Sequence, residues 1–79
     1  MNQRDVTLAT WFCQLGHAIA TRYGIEYLCQ TRIEVSERSI AVTCATAHIA
    51  KVVWEARWNA IAAGFQVQVL FGRTLYGED

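Results

Sequence analysis

Each of the two histidines in this chain sits four residues after a cysteine: Cys13-x₃-His17 and Cys44-x₃-His48. On a helix that spacing brings both side chains to one face, and two such pairs supply the four ligands of a tetrahedral Cys₂His₂ zinc site. The alternative is plainer, because free cysteine commonly serves as a small buried apolar residue. Neither pair has the C-x₂-C knuckle spacing, and Cys44 precedes a strand-to-helix junction where i,i+4 adjacency is not assured. Cys13 and His17 also have the types of a nucleophile and its base. That chemistry needs a third group to orient the imidazole, and no Asp or Asn is placed for it. Ser36 and Ser39 lack a G-x-S-x-G elbow and fit a turn. Glu26 and Glu34 share a face of one expected strand but stand ~27 Å apart when extended, too far for joint acid–base work. Gly16, Gly24, Gly64, Gly72 and Gly77 form neither a P-loop nor a dinucleotide fingerprint. No catalytic residue, metal ligand or cofactor is therefore assigned, and the chain is not expected to be an enzyme.

The elements that would position these residues follow from periodicity. Behind Asp5 as N-cap, Leu8, Trp11, Phe12, Leu15, Ile19 and Tyr23 recur at helical spacing, which predicts a helix over 6–23 stopped by Gly24. The period then drops to two. Ile25, Tyr27, Cys29, Ile33 and Val35 alternate with Glu26, Leu28, Gln30, Arg32 and Glu34, predicting one long strand with a wet face. Ser36-Glu37-Arg38-Ser39 is a polar break of hairpin length, and Ile40, Val42 and Cys44 continue as a second strand. Thr46 caps a second helix over 47–63, ended by Gly64. Phe65, Val67, Val69 and Phe71 mark a third strand, and the tail from Gly72 to Asp79 shows no period.

The expected fold is a single α+β domain over residues 1–79. It is a two-layer sandwich in the order α-β-β-α-β, with two helices on one face of a three-stranded, mainly antiparallel sheet. The second helix should return the third strand parallel to the second. Placement beside the first strand would make every neighbouring pair antiparallel.

Composition narrows the function classes. In 79 residues, 53% hydrophobic and 18% charged, there is room for one efficient core and no case for intrinsic disorder. Seven basic and seven acidic residues cancel, so a polyanion binder is not expected. Arg32, Arg38, Arg57 and Arg73 are diluted by Glu26, Glu34 and Glu37, and the sheet offers no aromatic pair for stacking bases. The opening Met1-Asn2-Gln3-Arg4-Asp5 does not read as a secretory signal, and no run of eighteen apolar residues occurs. Three cysteines, an odd number, then suggest reduced thiols in the cytoplasm.

One feature exceeds what a core requires. On the second helix Ile49, Val52, Val53, Ala56, Ala60 and Ala63 share the face that suits a sheet. Trp54, Trp58 and Ile61 stand at i, i+4 and i+7 on another side, with Arg57 between the two stripes. A helix on one sheet needs an apolar arc of roughly 100°, and this arc is about twice that. The surplus must meet the first helix, a second copy in a homodimer, or a different protein. Trp and Arg are enriched at binding hot spots, so Trp54, Arg57, Trp58 and Ile61 are the expected partner-binding residues. Leu75 and Tyr76 either join this surface or fold back over a core edge. Pattern alone assigns no role to the open sheet face of Glu26, Arg32, Glu34, Gln66 and Gln68.

In size, α+β layout and lack of a catalytic set, the chain resembles the small phage-encoded inhibitors of host defence, anti-CRISPR proteins among them. The resemblance implies a non-catalytic inhibitor that binds a bacterial CRISPR effector complex and sterically blocks recruitment of nucleic acid or nuclease. Two alternative classes are a small nucleic-acid-binding regulator and a zinc-stabilised Cys₂His₂ module.

Overall fold

The computed structural model describes residues 3–77. Met1, Asn2, Glu78 and Asp79, which belong to the expected start and tail, lie outside them. The described elements are α1 (Gln3–Tyr23), α2 (Ile25–Cys29), β1 (Arg32–Val35), β2 (Ser39–Cys44), α3 (Ala47–Ala62), β3 (Gln66–Phe71) and β4 (Thr74–Leu75). The domain is α+β, as expected. Its sheet is four-stranded and mixed, in the order β1-β2-β3-β4, which corrects the three-stranded, mainly antiparallel expectation. β3 does run parallel to β2, but it lies directly beside it, with Ile40 opposite Val67 and Val42 opposite Val69. The β1/β2 and β3/β4 pairs are antiparallel. Burial explains this order. β2 contributes Ile40, Val42 and Cys44 to the core and needs neighbours on both sides, whereas all of β1 is exposed. The alternating Arg32 and Glu34 suit an edge strand.

The long first strand is corrected too. Ile25 to Cys29 form the short helix α2, and only Arg32–Val35 remain extended. The alternation of Ile25, Tyr27 and Cys29 is not a burial pattern, because Ile25 is 66% exposed and Tyr27 and Cys29 also face solvent. The side chain that packs is Leu28, expected on the wet face. Its methyl groups lie 3.8–3.9 Å from where a Cβ on Gly16 would stand, so the bare backbone of α1 at Gly16 receives it.

The other boundaries follow their signals closely. α1 begins at Gln3, so Asp5 stands in its first turn rather than at the N-cap, still favourably placed toward the positive end of the helix dipole. Gly24 takes φ 104°, and its N–H donates to the Ala20 carbonyl at 3.0 Å. Thr46 caps α3 by accepting from the Ile49 N–H at 3.2 Å. At the other end Gly64 (φ 98°) donates to Ile61 and Phe65 donates to Ala60, the paired bonds of a Schellman motif. The core joins Trp11, Leu15 and Ile19 of α1 to Ile49, Ala50, Val53 and Ala60 of α3 and to Ile40, Val42, Cys44 and Val69 of the sheet. Both long helices thus serve one sheet face. Among the described residues no helix is long and apolar enough to cross a membrane.

Candidate functional site

At 100° per residue, Ala56 and Trp54 lie on opposite flanks of α3. The Ala56 flank belongs to α1. Trp11 is 2% exposed, and its indole N–H donates to the Ala56 carbonyl at 2.7 Å, so the most buried indole is also satisfied. The first helix is therefore not what meets the Trp54 stripe.

Trp54 is met instead by the C-terminal hairpin, which the sequence showed only as an aperiodic tail. Gly72 (φ 63°) and Arg73 form a two-residue turn with positive φ at the first central position only, the type II′ pattern, and Thr74 returns opposite Phe71. The Tyr76 N–H donates to the Val69 carbonyl at 2.7 Å, continuing the ladder by one pair. Pairing with buried Val69 sends the Tyr76 ring to the helix side, where it meets Trp54 edge-on at 6.3 Å and 76°. Gly77 lies on the same indole. A Cβ there would come within 2.5–2.8 Å of the Trp54 ring carbons, so only a glycine fits. Leu75 pairs with Leu70 and belongs to the opposite sheet face.

Trp54 is thereby half-buried, and Arg57 locks it from the other side. The guanidinium carbon of Arg57 sits 3.7 Å from the Trp54 ring centroid and 4.1 Å from that of Trp58. Its Nη1 donates to the Trp54 carbonyl at 2.5 Å. Two cation–π contacts, each worth ~0.5–2 kcal/mol, hold a long side chain that would otherwise sweep through solvent. Trp58 gains no such cover on its outer face and stays 60% exposed; Ile61, one turn on, is 39% exposed. The structure thus brings Trp54, Arg57 and Trp58 together with Ile61 beside them, as a ridge ending in an open indole.

The other candidates do not assemble. Cys13 is exposed on α1 with His17, Cys44 is buried at the end of β2, and His48 is exposed in the first turn of α3. Among the described residues no three His, Cys, Asp or Glu side chains are grouped to hold a metal ion, so the two Cys/His pairs do not converge. Burial pushes the Cys44 thiol up to about 11, which keeps it neutral and rules out a reactive thiolate there. Glu26 lies on α2 and Glu34 on β1, so the expectation that they share one strand face is corrected. Of the arginines, Arg57 is engaged by the indoles, Arg32 and Arg38 flank opposite ends of β1, and Arg73 occupies the turn at the far edge of the sheet. They line no common surface. A groove of about 410 Å³ between α1 and the end of α3 is bordered by Gln3, Thr7, Thr10, Gln14 and Asn59, none of which titrates or is nucleophilic enough to act unaided.

In comparisons with protein-family models, with curated proteins and with solved structures, nothing matches this chain.

Proposed function

We propose that the chain is a non-catalytic protein-binding module that docks through the Trp54–Ile61 flank of α3. The observation that carries this reading is the setting of Trp58: 60% exposed, and stacked on an arginine that also stacks on Trp54. An exposed indole beside a guanidinium offers a large contact area, which is what hot-spot residues supply. Arg57 spends one donor on the Trp54 carbonyl, and its remaining N–H groups suit a carboxylate. The fitting partner surface is an apolar cleft for Trp58 and Ile61, bordered by an acidic side chain. In its narrower form the module is an inhibitor of the anti-CRISPR type that blocks a bacterial effector complex by occupying its surface. Its size and α+β layout, the features by which the chain resembles such inhibitors, support that narrower form.

The test begins with capture of the partner from a bacterial lysate and proceeds to calorimetric titration of the purified pair. Trp58→Ala should weaken binding at least about tenfold, the ordinary cost of losing a hot spot, while the melting temperature stays close to the parent's. Arg57→Lys should also weaken it, because an ammonium cannot make the bidentate contact. Unchanged affinity in Trp58→Ala would overturn the assignment. A nucleic-acid regulator would reveal itself differently, by retarding duplex or single-stranded probes with a steep salt dependence.

A further inference from the structure

The free edge of β1 carries the clearest unused recognition pattern in the molecule. Arg32, Ile33, Glu34 and Val35 are exposed throughout, and among the described residues β1 pairs only with β2. The Ser36 N–H donates to the Ser39 carbonyl at 2.9 Å, in the same register that sets Glu34 opposite Ala41 and Arg32 opposite Thr43. Hydrogen-bonded pairs in an antiparallel ladder recur every second residue, so Arg32, Glu34 and Ser36 turn their backbone groups toward β2. Ile33 and Val35 turn theirs outward, to the free edge. Their side chains lie on the sheet face shared with Val42 and Ile40, the core face, yet remain 39% and 49% exposed.

We infer that this edge pairs with the same edge of a second copy, in an antiparallel register centred on Ile33. A two-fold axis normal to the sheet keeps the core faces of both copies on one side, so opposite residues must have like parity. Centring on Ile33 sets Ile33 against its symmetry mate and Val35 against Thr31. It also sets Arg32 opposite Glu34 of the other copy, twice. The outward groups of Ile33 exchange both N–H···O bonds, and the Val35 N–H meets the Thr31 carbonyl of the other copy. The Thr31 N–H is already committed to Leu28 at 3.0 Å, so it does not take part. Shifting the centre to Glu34 would place two glutamates face to face, which like-charge repulsion disfavours. Charges that merely blunt an edge repel a copy; these attract one in a single register. The result is one continuous sheet across two molecules, with the Trp58 ridges on the far sides of both, beyond β3.

Charge reversal tests the register. Sedimentation equilibrium of the unmodified chain at low salt, up to about 1 mM, should show a monomer–dimer equilibrium, weak as a short edge implies. Arg32→Glu, which opposes two acidic pairs, should raise the dimer dissociation constant about tenfold, and the double variant R32E/E34R should restore it by exchanging the partners. Ile33→Pro should abolish dimerisation with the far-ultraviolet circular dichroism retained, because the Ile33 N–H serves only the outer edge. A chain that stays monomeric throughout, whether or not its edge accepts a foreign strand, would overturn the proposal. So would a dimer indifferent to R32E. Neither result bears on partner binding by Trp58, which is read separately.

Discussion

Trp54 and Trp58 are four residues apart on one helix and yet differ in their surroundings. Trp54 is enclosed by Tyr76, Gly77 and Arg57, so Trp54→Ala should cost stability, roughly 3 kcal/mol, within the usual range for removing a packed aromatic. Trp58→Ala removes mostly wet surface and should cost less than about 1 kcal/mol; chemical denaturation of both variants measures the contrast. Gly77→Ala tests the enclosure from the other side. Its Cβ would strike the Trp54 ring and its φ of 78° disfavours any side chain, so the variant should melt lower and shift Trp54 emission to the red. Cys44 gives a chemical readout at the same scale. Its neutral form is the one the fold favours, so the stability it contributes is intact below about pH 9 and is lost as pH rises toward about 11. In the native state a thiol reagent at neutral pH should modify exposed Cys13 and Cys29 quickly and Cys44 only as fast as the domain opens. The type and spacing of Trp54, Arg57 and Trp58 pointed to this cluster. Gly77 could not be seen in the same way, because its constraint comes from a ring distant in sequence.

Among elements, the two long helices were legible because their apolar periods run for four turns or more and each ends at a glycine whose backbone takes positive φ. α2 was not legible, since five residues that alternate by chance match a strand as well as a helix. What decides the segment is Leu28 meeting Gly16, a contact outside any local window. A Cβ at Gly16 would meet the Leu28 methyl groups at 3.8–3.9 Å, an ordinary van der Waals distance. Gly16→Ala should therefore be accommodated and should stabilise the domain by up to about 1 kcal/mol through helix propensity, visible as a raised melting temperature. β4 escaped notice because two residues carry no period, although Gly72-Arg73 between Leu70-Phe71 and Thr74-Leu75 is a type II′ turn signal. The strand order was not legible: Arg32 and Glu34 on one face suit a central strand with a wet side as well as an edge, and only the burial of Ile40, Val42 and Cys44 places β2 inside the sheet.

At the scale of the whole molecule, α3 has three neighbours: the sheet beneath it, α1 along the Ala56 flank, and the C-terminal hairpin over Trp54. Its broad apolar arc is nearly used up by the chain itself. The remainder, Trp58 with Ile61, stands beside a fixed guanidinium, and this remainder is where the proposed function resides. The most direct test labels the chain with 5-fluorotryptophan and follows fluorine resonances with and without the captured partner. Trp11, 2% exposed, and the half-buried Trp54 should give signals with little solvent isotope shift, while the signal missing from Trp58→Ala should show a large one. On forming the complex, that signal should lose its isotope shift as the indole enters the partner. A Trp58 resonance that remains as solvent-sensitive in the complex as in the free chain would contradict the docking role.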